Sequence, residues 1–166
     1  EPKKPIVFYI DNAFPEMWKP YMKYAVEVWQ KAFENIGFKN AIIAKDFPTD
    51  DPEFDPDNLK YSCIRYVANS TANAMGPSWT DPTTGEIINA SVLVYGNIIQ
   101  LINNWRFVQT SQLDPSVRGK KLPDDVVKAS LIYVVAHEVG HCLGFMHNMA
   151  SSAAFPVDSL RSVSFT

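Results

Sequence analysis

The sequence predicts an α+β domain: a twisted mixed β-sheet with a long packing helix and a central buried helix. Three observations lead there. An apolar, β-rich run at 6–10 precedes an amphipathic helical segment and a second short strand run. Further strand runs follow an acidic stretch at 46–58, and the segment 123–143 is apolar round most of a helical circumference. The 166 residues match one typical domain length, so 1–166 is expected to form a single domain. With 46% hydrophobic and 13% aromatic residues it can bury a core, which excludes disordered, collagen-like and low-complexity classes.

Ile6, Val7, Phe8, Tyr9 and Ile10 read as a buried strand ending at Asp11 and Asn12. Trp18, Tyr21, Met22, Ala25, Val26, Trp29, Ala32, Phe33 and Ile36 recur at three-and-four spacing and predict one long helix. Pro20 lies in its first turn and Gly37 stops it. A second strand is expected at 41–44. Between 46 and 58, Asp46, Asp50, Asp51, Glu53, Asp55 and Asp57 alternate with Pro48, Pro52 and Pro56. This stretch reads either as a plain solvated loop or as oxygen ligands for Ca²⁺, although it lacks the regular alternation and central glycine of an EF-hand. A third strand follows at 61–67, and then 75–80 and 86–95 read as a hairpin around a turn at 81–85. Asn97 is expected to cap a helix to about 107, with Ile98, Leu101, Ile102 and Trp105 on one side for packing. After a polar connection, Pro123 opens the last helix, with Asp124 and Asp125 in its positive first turn.

Fifteen basic and eighteen acidic side chains give a net charge of −3, which leaves no basic footprint for nucleic acid or an anionic membrane. No apolar run approaches the roughly 18 residues of a membrane span. Two cysteines, Cys63 and Cys142, are too few for a disulfide-stapled scaffold. The chain starts at Glu1 without a signal-peptide pattern, as expected of a processed or excised segment.

All three histidines of the chain fall within eleven residues, His137-Glu138-Val139-Gly140-His141-Cys142-Leu143-Gly144-Phe145-Met146-His147. On a helix His137 and His141 are one turn apart, so both imidazoles project from one face toward a single metal ion. Gly144 can adopt the left-handed conformation that ends the helix and returns His147 as a third ligand. Three neutral imidazoles leave a fourth position open to water, the mark of a catalytic zinc site. Glu138, about 100° further round the helix, reaches that position without ligating and is the expected general base. The implied chemistry is metal-assisted hydrolysis of an amide, most simply a peptide bond. At background residue frequencies this pattern arises by chance on the order of 10⁻⁵ times in a chain of this length. Three buried histidines satisfied by backbone carbonyls is therefore the weaker reading. Cys142, one residue from His141, points elsewhere on the helix and reads as a small buried hydrophobe.

The stretch resembles the His-Glu-x-x-His-x-x-Gly-x-x-His signature of the metzincin metallopeptidases. More narrowly, Met75-Gly76-Pro77-Ser78-Trp79-Thr80-Asp81-Pro82 with 137–155 resembles large bacterial matrixin-like zinc proteases of the cell envelope or secreted space. The resemblance implies a zincin-like fold, Zn²⁺ at His137, His141 and His147, and Glu138 as base. It also implies an antiparallel edge strand that holds substrate, here Ala72, Asn73, Ala74 and Met75, whose plain alternative is an ordinary edge strand. The implied protein is a monomeric endopeptidase with a protein or peptide substrate. The chain departs from the family in three respects. The only methionine after His147 is Met149, too close for a methionine turn, so a zinc-helix subdomain cut before that turn is expected. Asn148 is not the residue that common subfamilies place after the third histidine. No histidines remain for a second zinc, so a second metal would be oxygen-bound in the acidic loop. The alternatives are a non-hydrolytic peptide-binding or structural zinc domain, and a hydrolase of non-peptide amides.

Overall fold

The computed structural model describes residues 1–160 together with Ser162 and Ser164. The first strand, β1 (Ile6–Ile10), forms where predicted, and strand alternation separates its two faces. Phe8 and Ile10 are buried in the main core. Tyr9, on the opposite face, meets Phe54 and Tyr61 at ring-centroid separations of 5.2 and 5.6 Å, and Phe54 meets Phe47 at 4.9 Å. The 46–58 stretch is thus more than a solvated loop, because Phe47 and Phe54 cover the second face of the sheet. Most of its carboxylates have partners within the fold. Asp46 pairs with Lys23 and Asp57 with Arg65, each at 2.7 Å, while Asp51 and Asp55 each accept the amide two residues on. Among the described residues no three of them come together as a ligand set.

The 18–36 periodicity produces two helices, α1 (Lys19–Glu27) and α2 (Gln30–Asn35), where one was expected. Val28 and Trp29 keep helical dihedrals. Their hydrogen bonds, however, tighten to Trp29 N–H to Val26 O and Lys31 N–H to Val28 O, both 3.4 Å, the spacing of a 3₁₀ turn. The tightening coincides with the docking of Trp29, whose indole Nε1–H donates to the Ala136 carbonyl at 2.9 Å.

The remaining strands are β2 (Ile42–Asp46), β3 (Ser62–Val67), β4 (Ala74–Met75), β5 (Ser78–Thr80), β6 (Ile87–Ala90) and β7 (Val92–Tyr95). The main sheet has the order β2-β1-β3-β7-β4, parallel except for β4, which runs antiparallel to β7 with Ala74 opposite Val94 and Met75 opposite Leu93. The predicted 75–80/86–95 hairpin is therefore divided. Its tip forms a separate β5-β6 ribbon, and its base joins the main sheet. The division falls at Pro77, which has no N–H for a ladder and whose carbonyl accepts the Ser91 amide at 3.1 Å.

Helix α3 (Ile98–Thr110) and helix α4 (Asp124–Cys142) complete the layer that positions the site. Asn97 does not cap α3 with its side chain; its Nδ2 donates to the Ser70 carbonyl at 3.0 Å. Helix α1 packs on β1 and β2, α4 packs on β4 and β7, and α1 and α4 lie side by side, so both occupy one face. Phe8, Met22, Val26, Ile64, Val92, Leu131, Val135 and Val139 form the centre of that core. Helix α4 is not enclosed on all sides as its composition predicts. Tyr133 and His137, one turn apart, are exposed along a stripe that no described element covers.

Cys63 and Cys142 are free and buried, with no disulfide, and burial pushes both thiols up to about 12. Because the folded thiols titrate above an unfolded cysteine, near 8.5, keeping them neutral stabilises the fold below about pH 8.5. That contribution is lost as pH rises toward 12. Iodoacetamide at pH 8 is expected to label both cysteines only after denaturant is added, and the melting temperature to fall between pH 9 and 11. Rapid labelling of the native protein would contradict the burial.

Candidate metal centre

The last turns of α4 place His137 and His141 one above the other. The helix then ends at Leu143, and Gly144 takes φ +93°, a conformation costly for any residue with a Cβ. The Gly144 amide donates to the His141 carbonyl at 2.9 Å and the Phe145 amide to the Gly140 carbonyl at 3.1 Å, a Schellman closure that reverses the chain. Two residues later His147 returns beside the other histidines. The three Nε2 atoms form a triangle with edges of 3.1, 3.1 and 3.2 Å.

The edges of that triangle test whether an ion fits. A tetrahedral zinc 2.0–2.1 Å from each nitrogen requires nitrogens about 3.3–3.4 Å apart, close to the separations found. The tautomer also fits. His141 Nδ1 lies 2.8 Å from the Phe145 carbonyl, which can only accept, so the neutral ring carries its proton on Nδ1 and turns an Nε2 lone pair into the triangle. Among the described residues these three histidines are the only set of three or more ligating side chains gathered together. Cys142 is excluded from the set: it is buried, with Sγ 3.9 Å from the Pro77 carbonyl.

Phe145 is itself held. Its ring stacks on Trp29 with centroids 5.5 Å apart and planes 16° apart, while the Trp29 ring lies so close to Gly140 that a Cβ there would stand 2.9 Å from the indole. Sequence periodicity placed Trp29 on a core face, but nothing in its spacing connected it to the histidines.

Glu138 stands beside the triangle and is half-buried. Burial pushes its carboxyl above the ordinary range, against the opposing pull of His137, His141, the Gly76 amide and His147. Gly76 connects β4 to β5 and lies flat on α4, where a Cβ would be 2.3 Å from the Glu138 carbonyl oxygen. The sheet edge and the helix therefore meet at Glu138 with no side chain between them.

The three histidines and Glu138 open into a cavity of about 680 Å³. Asn73, Ala74 and Met75 line one side and Trp105 and Gln109 of α3 the other, whereas Ala72 is not among the lining residues. Of the segment expected to hold substrate, only Ala74 and Met75 are in strand conformation, at the outer edge of the sheet. Trp105, expected to pack, is 44% exposed and faces this cavity, and the exposed Tyr133 of α4 lines it too.

Residues 119–166 match a family model described as Met-zincin, a span containing all three histidines and Glu138. No curated protein and no solved structure matches the chain. In this segment the chain is metzincin-like both in its motif and in the grouping of its histidines.

One zinc per chain is expected by metal analysis, with His141→Ala losing it. Gly76→Ala must push β4 off α4 and is expected to cost about 1–3 kcal/mol in denaturant unfolding. Wild-type stability of Gly76→Ala would show that the contact yields freely.

Proposed function

We propose that the chain is a zinc-dependent endopeptidase whose general base is Glu138. The observation that carries this reading is the triangle of converging Nε2 atoms beside a half-buried carboxylate that is not one of its members. When bound there by His137, His141 and His147, Zn²⁺ supplies Lewis-acid polarisation of a carbonyl and lowers the pKa of water at the open position.

Glu138 accepts the proton of the attacking water on its carboxylate and delivers it to the nitrogen of the departing amine. Its half-buried place beside the triangle, outside the histidine set itself, fits that role. The Gly76 amide holds the carboxylate in place. The Phe145 carbonyl keeps the His141 ring in its ligating tautomer. Strand β4, last in the sheet, offers its free side to an extended peptide as an added strand, with Asn73, Ala74 and Met75 along the cavity. Ala72 would extend that grip beyond the cavity. Strand addition grips the substrate by its backbone, which suits cutting within a chain.

The test compares wild type, chelated wild type and Glu138→Gln on a denatured protein substrate. Chelation is expected to abolish cleavage and added zinc to restore it. Glu138→Gln should keep its zinc while kcat falls by about 10²–10⁴-fold. Unchanged cleavage by Glu138→Gln would overturn the assignment of the base. A zinc-loaded wild type that cleaves no peptide would favour a structural zinc domain instead.

A further inference from the structure

A second recess of about 340 Å³ lies between α3 and α4. It shares Trp105, Gln109, Tyr133 and Val134 with the metal cavity, so the two lie side by side. Its inner wall is polar and cationic. Arg106 Nε donates to the hydroxyl of Ser130 at 3.0 Å, and Ser130 is one of the few buried polar residues of the chain. A guanidinium has five N–H donors, and this hydrogen bond engages one. Among the described residues no carboxylate pairs with Arg106, and its two terminal nitrogens have no protein acceptor. Asp114 feels its charge, but Asp114 Oδ1 already accepts the amide and the hydroxyl of Ser116 at 2.9 and 2.6 Å.

An arginine held by Nε with its terminal fork free is prepared for bidentate contact with a carboxylate. Ser130 precedes His137 by seven residues, about 10 Å along the helix axis at 1.5 Å per residue. An extended peptide advances about 3.3 Å per residue, so a side chain within about three residues of the cleaved bond spans that distance. We propose that this recess is a substrate subsite for an Asp or Glu side chain, with Arg106 as its recognising cation and Trp105 and Tyr133 as its aromatic walls. The proposal rests on the endopeptidase reading and adds to it the class of substrate.

The experiment uses hexapeptide pairs carrying Glu or Gln at each position in turn. Wild type is expected to cleave at least one Glu peptide about tenfold better in kcat/KM than its Gln partner. In Arg106→Gln that ratio falls to near one, while Arg106→Lys retains part of it; zinc content and melting temperature report whether each variant is folded. A wild-type ratio near one at every position, or a ratio that survives in folded Arg106→Gln, overturns the proposal. Calorimetric binding of the same pairs to zinc-loaded Glu138→Gln separates the two readings. If wild type cleaves nothing, the endopeptidase reading fails. The subsite still stands if Glu peptides bind more tightly there than Gln peptides, and falls if they bind equally.

Discussion

The indole of Trp29 joins the first helical layer to the end of α4, and the metal face depends on that joint. Its N–H satisfies the Ala136 carbonyl, and its ring covers Gly140 and stacks on Phe145. A hydrogen bond of this kind is worth roughly 1 kcal/mol and an aromatic pair about 0.5–1.5 kcal/mol beyond the area it buries. Those energies are modest beside the core, but they act where the helix turns back. Phe145 is the residue whose carbonyl faces His141 Nδ1, so packing at Trp29 reaches that imidazole through one intermediate. The tightened turn between α1 and α2 accompanies that joint.

A second constraint acts from the sheet. Gly76 meets the backbone of Glu138 at a distance that admits no side chain, and its amide reaches the carboxylate. Glu138 and the edge strand that borders the cavity are therefore positioned by one contact. Opposite them α3 contributes Trp105 and Gln109, so the cleft has a backbone-rich wall and a side-chain-rich wall over a floor of imidazoles. In the proposed peptidase the first wall suits recognition of any extended chain, and the second, continuing to Arg106, suits discrimination among side chains.

Several elements were legible from the residues alone. The strand at 6–10, the stop at Gly37 and the left-handed reversal at Gly144 follow from local rules, and the structure contains each of them. The histidine spacing was legible because helix geometry converts four residues into one turn. Other features obeyed no local rule. Val28 and Trp29 look like two more residues of a regular helix until α4 is present to dock against. Phe47 and Phe54 are hidden in a stretch whose carboxylates and prolines dominate its composition. The hairpin at 75–95 divides because β7 finds β3 as a partner, a pairing of residues 28 positions apart. Asn97 has the residue type of a helix cap, but the carbonyl of Ser70 competes for it successfully.

By itself the sequence determined which three histidines come together and the reversal that gathers them. Both lie within eleven residues, where helix periodicity and one glycine dihedral suffice. Only the tertiary structure decided what surrounds that set: the indole behind Phe145, the edge strand on Glu138, and the aromatic and arginine side chains of α3. Those groups are separated from the histidines by tens of residues, and their contacts exist only once the sheet has ordered its strands and α1, α3 and α4 have packed beside one another.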